Sequence, residues 1–320
     1  MLNRYLIHIL CLWSLGLPTI MAITYSAVPG FFAQDDPNAN SSAIGALPPR
    51  FGLLDDSAER WQTFRHKLAS LNEKAPKGTS YKAFWLGRHG EGWHNVAEAK
   101  YGTPAWDAYW SKLTTDGNIT WGPDALLTPL GMQQAALARD AWRKELNLDH
   151  THDGQHSKQE HKSFAVPLPE RLLVSPLRRA LDTFKITFLE SEDGERPVLP
   201  EHKQRVLIVE NCREQYGVHT CDERSNLTTL RPLYPPPVFT FEKGFTETDE
   251  LWEPDVRESS EHVAARATNV LDRVFEGKET FISITAHSGF INGFLAAIGR
   301  ESYSLPTGGI IPVVVRQTVA

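Results

Sequence analysis

The feature that most restricts the fold is an alternation that begins at Ser80. Short apolar runs at 81–86, 172–174, 206–209, 281–285 and 310–315 have strand length, and longer stretches between them carry apolar residues every three or four positions. The clearest of these predicted helices are 128–146, 176–189, 259–275 and 290–298. Another, at 57–72, has Ser57 placed as a cap and Pro76-Lys77-Gly78 as its stop. Strands joined through helices pair mostly in parallel, so the expected architecture is α/β, a three-layer α/β/α sandwich with a mostly parallel central sheet. Such sheets bind ligands at the carboxyl ends of their strands.

Ahead of this pattern lie two other segments. Residues 1–22 carry an apolar stretch after Arg4, interrupted by His8, Ser14, Pro18 and Thr19. Pro18 shortens it for a membrane span, so it reads as a secretory signal cleaved near Ala22 or Ala27, with no stable membrane partner. The alternative is translation from Met21 and a cytoplasmic protein. Residues 23–56, rich in Pro, Gly, Asn, Ser and Asp, read as an extended N-terminal arm, and 57–320 as a single domain. Asn40, Asn118 and Asn226 each open an Asn-x-Ser/Thr triplet, compatible with a secreted glycoprotein. Cys212 and Cys221 are open to two readings, a pair in an oxidising compartment or buried thiols in a reducing one.

A net charge of −6 without basic clusters argues against a nucleic-acid partner. An anionic ligand would therefore need a local basic pocket. Four motifs at predicted strand ends supply its parts. Arg88-His89-Gly90 follows the run at 81–86. Ser175-Pro176-Leu177-Arg178-Arg179-Ala180-Leu181-Asp182-Thr183 opens a helix after 172–174, with Ser175 as cap, and such a helix start favours an anion, for which Arg179 adds a planar fork of donors. Cys212-Arg213-Glu214 follows 206–209, and Ala286-His287-Ser288-Gly289 follows 281–285.

From about Tyr81 to Arg316 this ordered set resembles the histidine phosphatase superfamily, also called phosphoglycerate mutase-like. Thr128-Pro129-Leu130-Gly131 with Gln133 and Gln134 adds a helix entry typical of that group. The phytase branch carries Arg-His-Gly-x-Arg-x-Pro and a late His-Asp, whereas this chain has Gly90-Glu91-Gly92-Trp93-His94-Asn95 and His287-Ser288, which places it with branch 1. The runs His94-Asn95 and Gly217-Val218-His219-Thr220-Cys221-Asp222-Glu223-Arg224, together with the arm from Val28 to Pro37, look most like the fungal and plant phosphomutase-like subgroup; the arm also speaks for the Met21 start.

The resemblance implies a phosphatase acting on a small phosphorylated metabolite through a phosphohistidine on His89, with no cofactor and no metal. Arg88, Arg179 and His287 are implied as the groups around the phosphoryl oxygens, Glu214 as proton donor and acceptor, and Asn95 as a further phosphate donor. Gly217 stands three residues after Glu214 where many relatives place it four after the acid, so Glu210 competes for the role. A phosphomutase, a non-catalytic phosphate-binding module and a metal hydrolase built on His89 and His94 are the other readings. His94, His219 and Asp222 either line the pocket or brace its loops, and Trp93, Trp106, Trp110 and Trp121 form either a lid or packing. His150, His152, His156 and His161 sit in a polar stretch read as a solvated loop in preference to a metal tract. The sequence leaves the oligomeric state open.

Overall fold

The computed structural model describes residues 22–148, 164–191 and 196–320. The expected leader and the four histidines of the polar stretch lie outside the described residues. Among the described residues, no helix is long and apolar enough to cross a membrane.

Seven strands form one sheet: β1 (Ile23–Ala27), β2 (Thr79–Arg88), β3 (Arg171–Val174), β4 (Val206–Ile208), β5 (Phe239–Phe241), β6 (Phe281–Ala286) and β7 (Ile310–Val319), in the spatial order β1-β7-β2-β6-β3-β4-β5. The pairs from β2 to β5 run parallel, while β7 lies antiparallel to both β2 and β1. The helices are α1 (Ser41–Ile44), α2 (Arg60–Glu73), α3 (Trp93–Tyr101), α4 (Thr103–Ala108), α5 (Pro129–Glu145), α6 (Arg178–Phe188), α7 (Leu227–Leu233), α8 (Ser260–Phe275) and α9 (Ser288–Ala297).

Side-chain alternation along the strands explains the three layers. Ala83 and Trp85 of β2, Leu172 and Val174 of β3, and Val206 and Ile208 of β4 enter one core with Trp61, Phe64 and Trp142 from α2 and α5 and Phe184 from α6. Phe84 and Leu86, Leu173, and Ile282 and Ile284 of β6 face the other way, against Val270 and Val274 of α8 and Phe290 and Phe294 of α9. A strand with both faces covered reads as a continuous apolar run, which is why these strands stand out in the sequence.

Residues 23–56 differ from an arm leading into a domain. β1 extends the sheet along β7, with Ile23 opposite Val319 and Ala27 opposite Val315. Phe32, Phe51 and Leu53 are buried in the first core. Nor does Ser57 cap α2: its N–H and hydroxyl both donate to Asp55, and α2 begins at Arg60. Cys212 and Cys221 are both free thiols and sit in different apolar clusters, which closes the question of a disulfide. Trp106 and Trp121 belong to the same small cluster as Cys221, with Trp93 and Trp110 packed against it, so this aromatic group is packing.

Candidate functional site

Four adjacent parallel strands each end on one of the expected residues. Across the sheet in the order β2, β6, β3, β4, the chain emerges at His89, at His287, at Ser175 leading into Arg179, and at the turn that carries Glu214. Residues up to 198 positions apart in sequence are thereby brought side by side; the His89 and His287 ring centroids are 5.0 Å apart.

His89 is fixed through its backbone and one ring nitrogen. Its N–H donates to Ala286 O (3.0 Å) and its carbonyl accepts from Gly308 N–H (2.9 Å), while the next N–H, of Gly90, donates to the Thr183 hydroxyl (3.0 Å). Nδ1 lies 2.6 Å from Gly90 O. A carbonyl only accepts, so Nδ1 carries the proton and Nε2 keeps a free lone pair. Burial, reinforced by Arg179 and Arg88, pushes the pKa well below the ordinary histidine value, so the ring is neutral at neutral pH.

The Thr-x-x-Gly-x-x-Gln segment clamps this loop. Thr128 caps α5 by accepting from Gly131 N–H (3.0 Å) and donates to a Glu91 carboxylate oxygen (2.7 Å); Gln134 Oε1 accepts from Glu91 N–H (2.7 Å). A Cβ on Gly90 would run into the Gly131 backbone, and one on Gly131 into the Glu91 backbone. Glycine at both places lets the two backbones touch.

Arg179, at the start of α6, is fully buried, donating from Nη1 to Cys221 O (2.7 Å) and from Nη2 to Asp222 Oδ1 (2.8 Å). Asp222 Oδ2 accepts from Arg257 Nη1 (2.9 Å), so one carboxylate joins two guanidiniums. Burial raises the Asp222 pKa, but Arg257 and Arg179 outweigh it and hold the carboxyl below the usual range. Arg178, one position earlier, instead lines a separate surface cleft with Trp93, Trp121 and Leu126. The α6 cap is not Ser175. Asp124, in left-handed backbone (φ 55°), accepts from Arg178 N–H (2.8 Å), and the Ser175 hydroxyl lies 2.7 Å from His287 Nε2.

Glu214 is half-buried at the start of α9, where its carboxylate accepts from Gly289 N–H (3.1 Å) and Gln215 N–H (2.8 Å), and its charge reaches Arg88. Glu210, the competitor, is tied to Arg213 (3.3 Å) and Arg224 (2.7 Å). Arg88 donates to Leu305 O (2.7 Å). Asn95 Oδ1 accepts from Gly92 N–H (3.0 Å), which leaves its amide N–H groups for other acceptors. His94 stands beside His89, with ring centroids 5.4 Å apart. His219 lies 3.5 Å from Asp107 and edge-on to Trp106, and its charge reaches His94.

Four buried nitrogens at this place have no hydrogen-bond partner among the described residues: Arg88 Nε, Arg179 Nε, His94 Nδ1 and His287 Nδ1. Buried polar groups are nearly always paired, and a cluster centred on two guanidiniums calls for an acceptor-rich anion. His219, Cys221 and Asp222 place ligand atoms within 4.8 Å of one another. With two guanidiniums already on Asp222, a cation there meets repulsion as well as competition for the carboxylate.

The chain is 41% identical over 311 residues to a probable phosphoglycerate mutase of Arthroderma benhamiae, a match covering 93% of this chain and 85% of that protein. It belongs to the phosphoglycerate mutase-like histidine phosphatases. Phosphomutase-like protein 3 of Candida albicans is 37% identical over 299 residues, covering 93% of this chain and 81% of that protein. A probable phosphoglycerate mutase of Saccharomyces cerevisiae is 32% identical over 313 residues, with 92% and 96% covered. No protein-family model matches the chain. Within this histidine phosphatase the expected Arg88, His89, Arg179, Glu214 and His287 lie at neighbouring strand ends. Asp124, Asp222 as pivot, Ser175 as the partner of His287, and Arg257 escaped the sequence reading. No local spacing marks them, because each acts through a partner far along the chain.

Proposed function

We propose that this enzyme hydrolyses a small phosphate monoester through a phosphohistidine at His89 Nε2. The observation that carries this reading is the Nδ1 contact to Gly90 O, which leaves the nucleophilic lone pair on Nε2 in a neutral ring beside four unpartnered nitrogens. Nε2 attacks phosphorus and the P–O bond to the alcohol breaks. Glu214, in its acid form, gives the departing oxygen its proton. Arg88, Arg179 and His287 hold the three phosphoryl oxygens, where charge spreads in the transition state. For His287 to donate from Nδ1, its Nε2 must accept from Ser175, and their 2.7 Å contact is consistent with that. Water then attacks the phosphohistidine while Glu214 takes its proton, which returns free His89 and inorganic phosphate. Asn95 offers a further N–H to the same oxygens.

The names of the fungal relatives favour a second reading, in which the phosphoryl group returns to an oxygen of the substrate. A panel of phosphorylated metabolites and an aryl phosphate, assayed with and without chelator against His89→Ala, tests the mechanism. Activity in the variant or chelator sensitivity would sink it. Isomerised product in place of inorganic phosphate decides for the mutase. Secretion rests on the leader and on Asn40, Asn118 and Asn226, all three exposed as glycan acceptors must be. N-terminal sequencing and a mass shift after endoglycosidase treatment check it.

A further inference from the structure

We propose that Arg266 is a positioning residue for the proton transfer: it clamps the turn that carries Glu214 and so sets where that carboxyl meets the leaving oxygen; the inference rests on the phosphohistidine reading above. Between β4 and α7 the chain makes no strand, so the carbonyls of this turn have no ladder to pair with and need donors from elsewhere. Three of them converge on one guanidinium. Arg266, in the second turn of α8, donates from Nη1 to Asn211 O (2.8 Å) and Arg213 O (3.1 Å) and from Nη2 to Glu214 O (3.3 Å). Its remaining donors go to a single carboxylate, Nε to Glu258 Oε1 (2.6 Å) and Nη2 to Glu258 Oε2 (2.7 Å). All five N–H groups of the guanidinium are thereby used, and the side chains of Arg266 and Glu258 are 4% and 1% exposed, so the pair works out of reach of water.

The clamp holds Glu214 at the end its carboxylate does not use. The carboxylate is fixed by Gly289 N–H (3.1 Å) and Gln215 N–H (2.8 Å), and the main chain of the same residue is fixed to α8 through Arg266. A side chain anchored at both ends is confined to few orientations, as a proton donor must be if it is to meet the departing oxygen at hydrogen-bond distance. Glu258 orients the guanidinium and also ties down the next two residues of the turn, its Oε2 accepting from Tyr216 N–H (3.3 Å) and its carbonyl from Gln215 Nε2. Lysine in place of Arg266 would bring three donors on a point charge, too few for three carbonyls and two carboxylate oxygens. The groups around the phosphoryl oxygens hang on other partners: Arg88 on Leu305 O, Arg179 on Cys221 O and Asp222, His287 on Ser175. Loosening the clamp therefore reaches the proton transfer before it reaches phosphate binding.

The test follows phosphohistidine formation in a single turnover with two alkyl esters, glycerol 3-phosphate and O-phosphoserine, whose alkoxides need a proton to leave, and with 4-nitrophenyl phosphate, whose oxide does not. The proteins compared are wild type, Arg266→Lys, and Arg266→Met/Glu258→Gln, which removes the buried pair together and leaves no ion unpaired, each with and without Glu214→Gln. Either change at Arg266 should slow the alkyl esters by roughly tenfold to a hundredfold, the cost of misplacing a reacting group by up to about 1 Å, and the aryl ester by less than about threefold. On top of Glu214→Gln the same changes should slow the alkyl esters by less than about threefold more, because the group they position is gone. A merely structural role would slow all three esters alike and would add in full to Glu214→Gln; either result overturns the assignment and leaves the hydrolase reading intact. Equal losses on all three esters in Glu214→Gln alone, or a wild type that reacts with the aryl ester only, remove the acid and with it the need to position it. A wild type that forms no phosphohistidine with any ester overturns both readings.

Discussion

Acidification should destabilise this protein through two buried histidines, the ones proposed to act on the phosphoryl group. His89 and His287 are 1% and 0% exposed, and burial together with Arg179 holds both well below the ordinary histidine pKa. In the unfolded chain they titrate near 6.5. Below that pH the unfolded state binds protons that the folded state refuses, so stability is full above the unfolded value and falls as pH drops through it. At pH 5.5 each such group costs on the order of 1 kcal/mol, against a negligible amount at pH 7.5, and the pair costs about 3 kcal/mol. In a chain of this size that corresponds to a fall in Tm of roughly 5 °C. Carboxylates and exposed histidines titrate too, but they are common to variants. The informative quantity is therefore the difference between wild type and the double variant His89→Gln/His287→Gln in urea unfolding at pH 7.5 and 5.5. The double variant should lose about 3 kcal/mol less, and each single variant about half of that. Identical pH dependence in wild type and the double variant would refute the argument.

Glu214→Gln should slow phosphohistidine formation in a single turnover by about a hundredfold or more with alkyl phosphates and much less with an aryl phosphate, whose oxide leaves without a proton; equal losses in that step would remove Glu214 as the acid. Asp222→Ala uncovers Arg179 and Arg257 together and should destabilise the protein by about 3–5 kcal/mol, read from chemical denaturation. Gly131→Ala places a methyl group against the Glu91 backbone and should cut kcat by roughly a hundredfold through displacement of His89, with phosphohistidine formation in a single turnover as the check.

How far the sequence could be read depended on whether an element or a site group depends on near or distant partners. Central strands such as β2 and β6 are apolar on both faces and were visible as runs. The edge strands β1 and β5 were not: Ile23–Ala27 is half-exposed and reads as polar coil, and Phe239–Phe241 follows three prolines. Helices α3 and α4 carry no clean apolar stripe, since what they bury goes into a small aromatic cluster. Among the site groups, those that sit at strand ends inside ordered motifs could be named by number. Asp124 could not, because it serves a helix start 54 positions away; Asp222 was named as a pocket-lining or loop-bracing residue, but not for its part in joining arginines 43 and 35 positions away. Ser175 was visible but read only in part: its hydroxyl accepts from Leu177 N–H (3.3 Å) at the helix entry, where Leu177 is the N-cap residue, and it also lies 2.7 Å from His287 Nε2.

The pairing of β1 with β7 sets a limit on how the N-terminus can be trimmed. All five residues of β1 have partners on β7, from Ile23 against Val319 to Ala27 against Val315. A peptidase cutting after Ala22 keeps all five paired residues and loses only the Ala22 carbonyl, which accepts from Ala320 N–H (2.9 Å). One cutting after Ala27 would strip the margin of the sheet, bare the backbone groups of Val315–Val319 that face β1, and create a sticky border ready to recruit another chain. Any cut that removes the leader has to fall before Ile23 for this margin to stay covered.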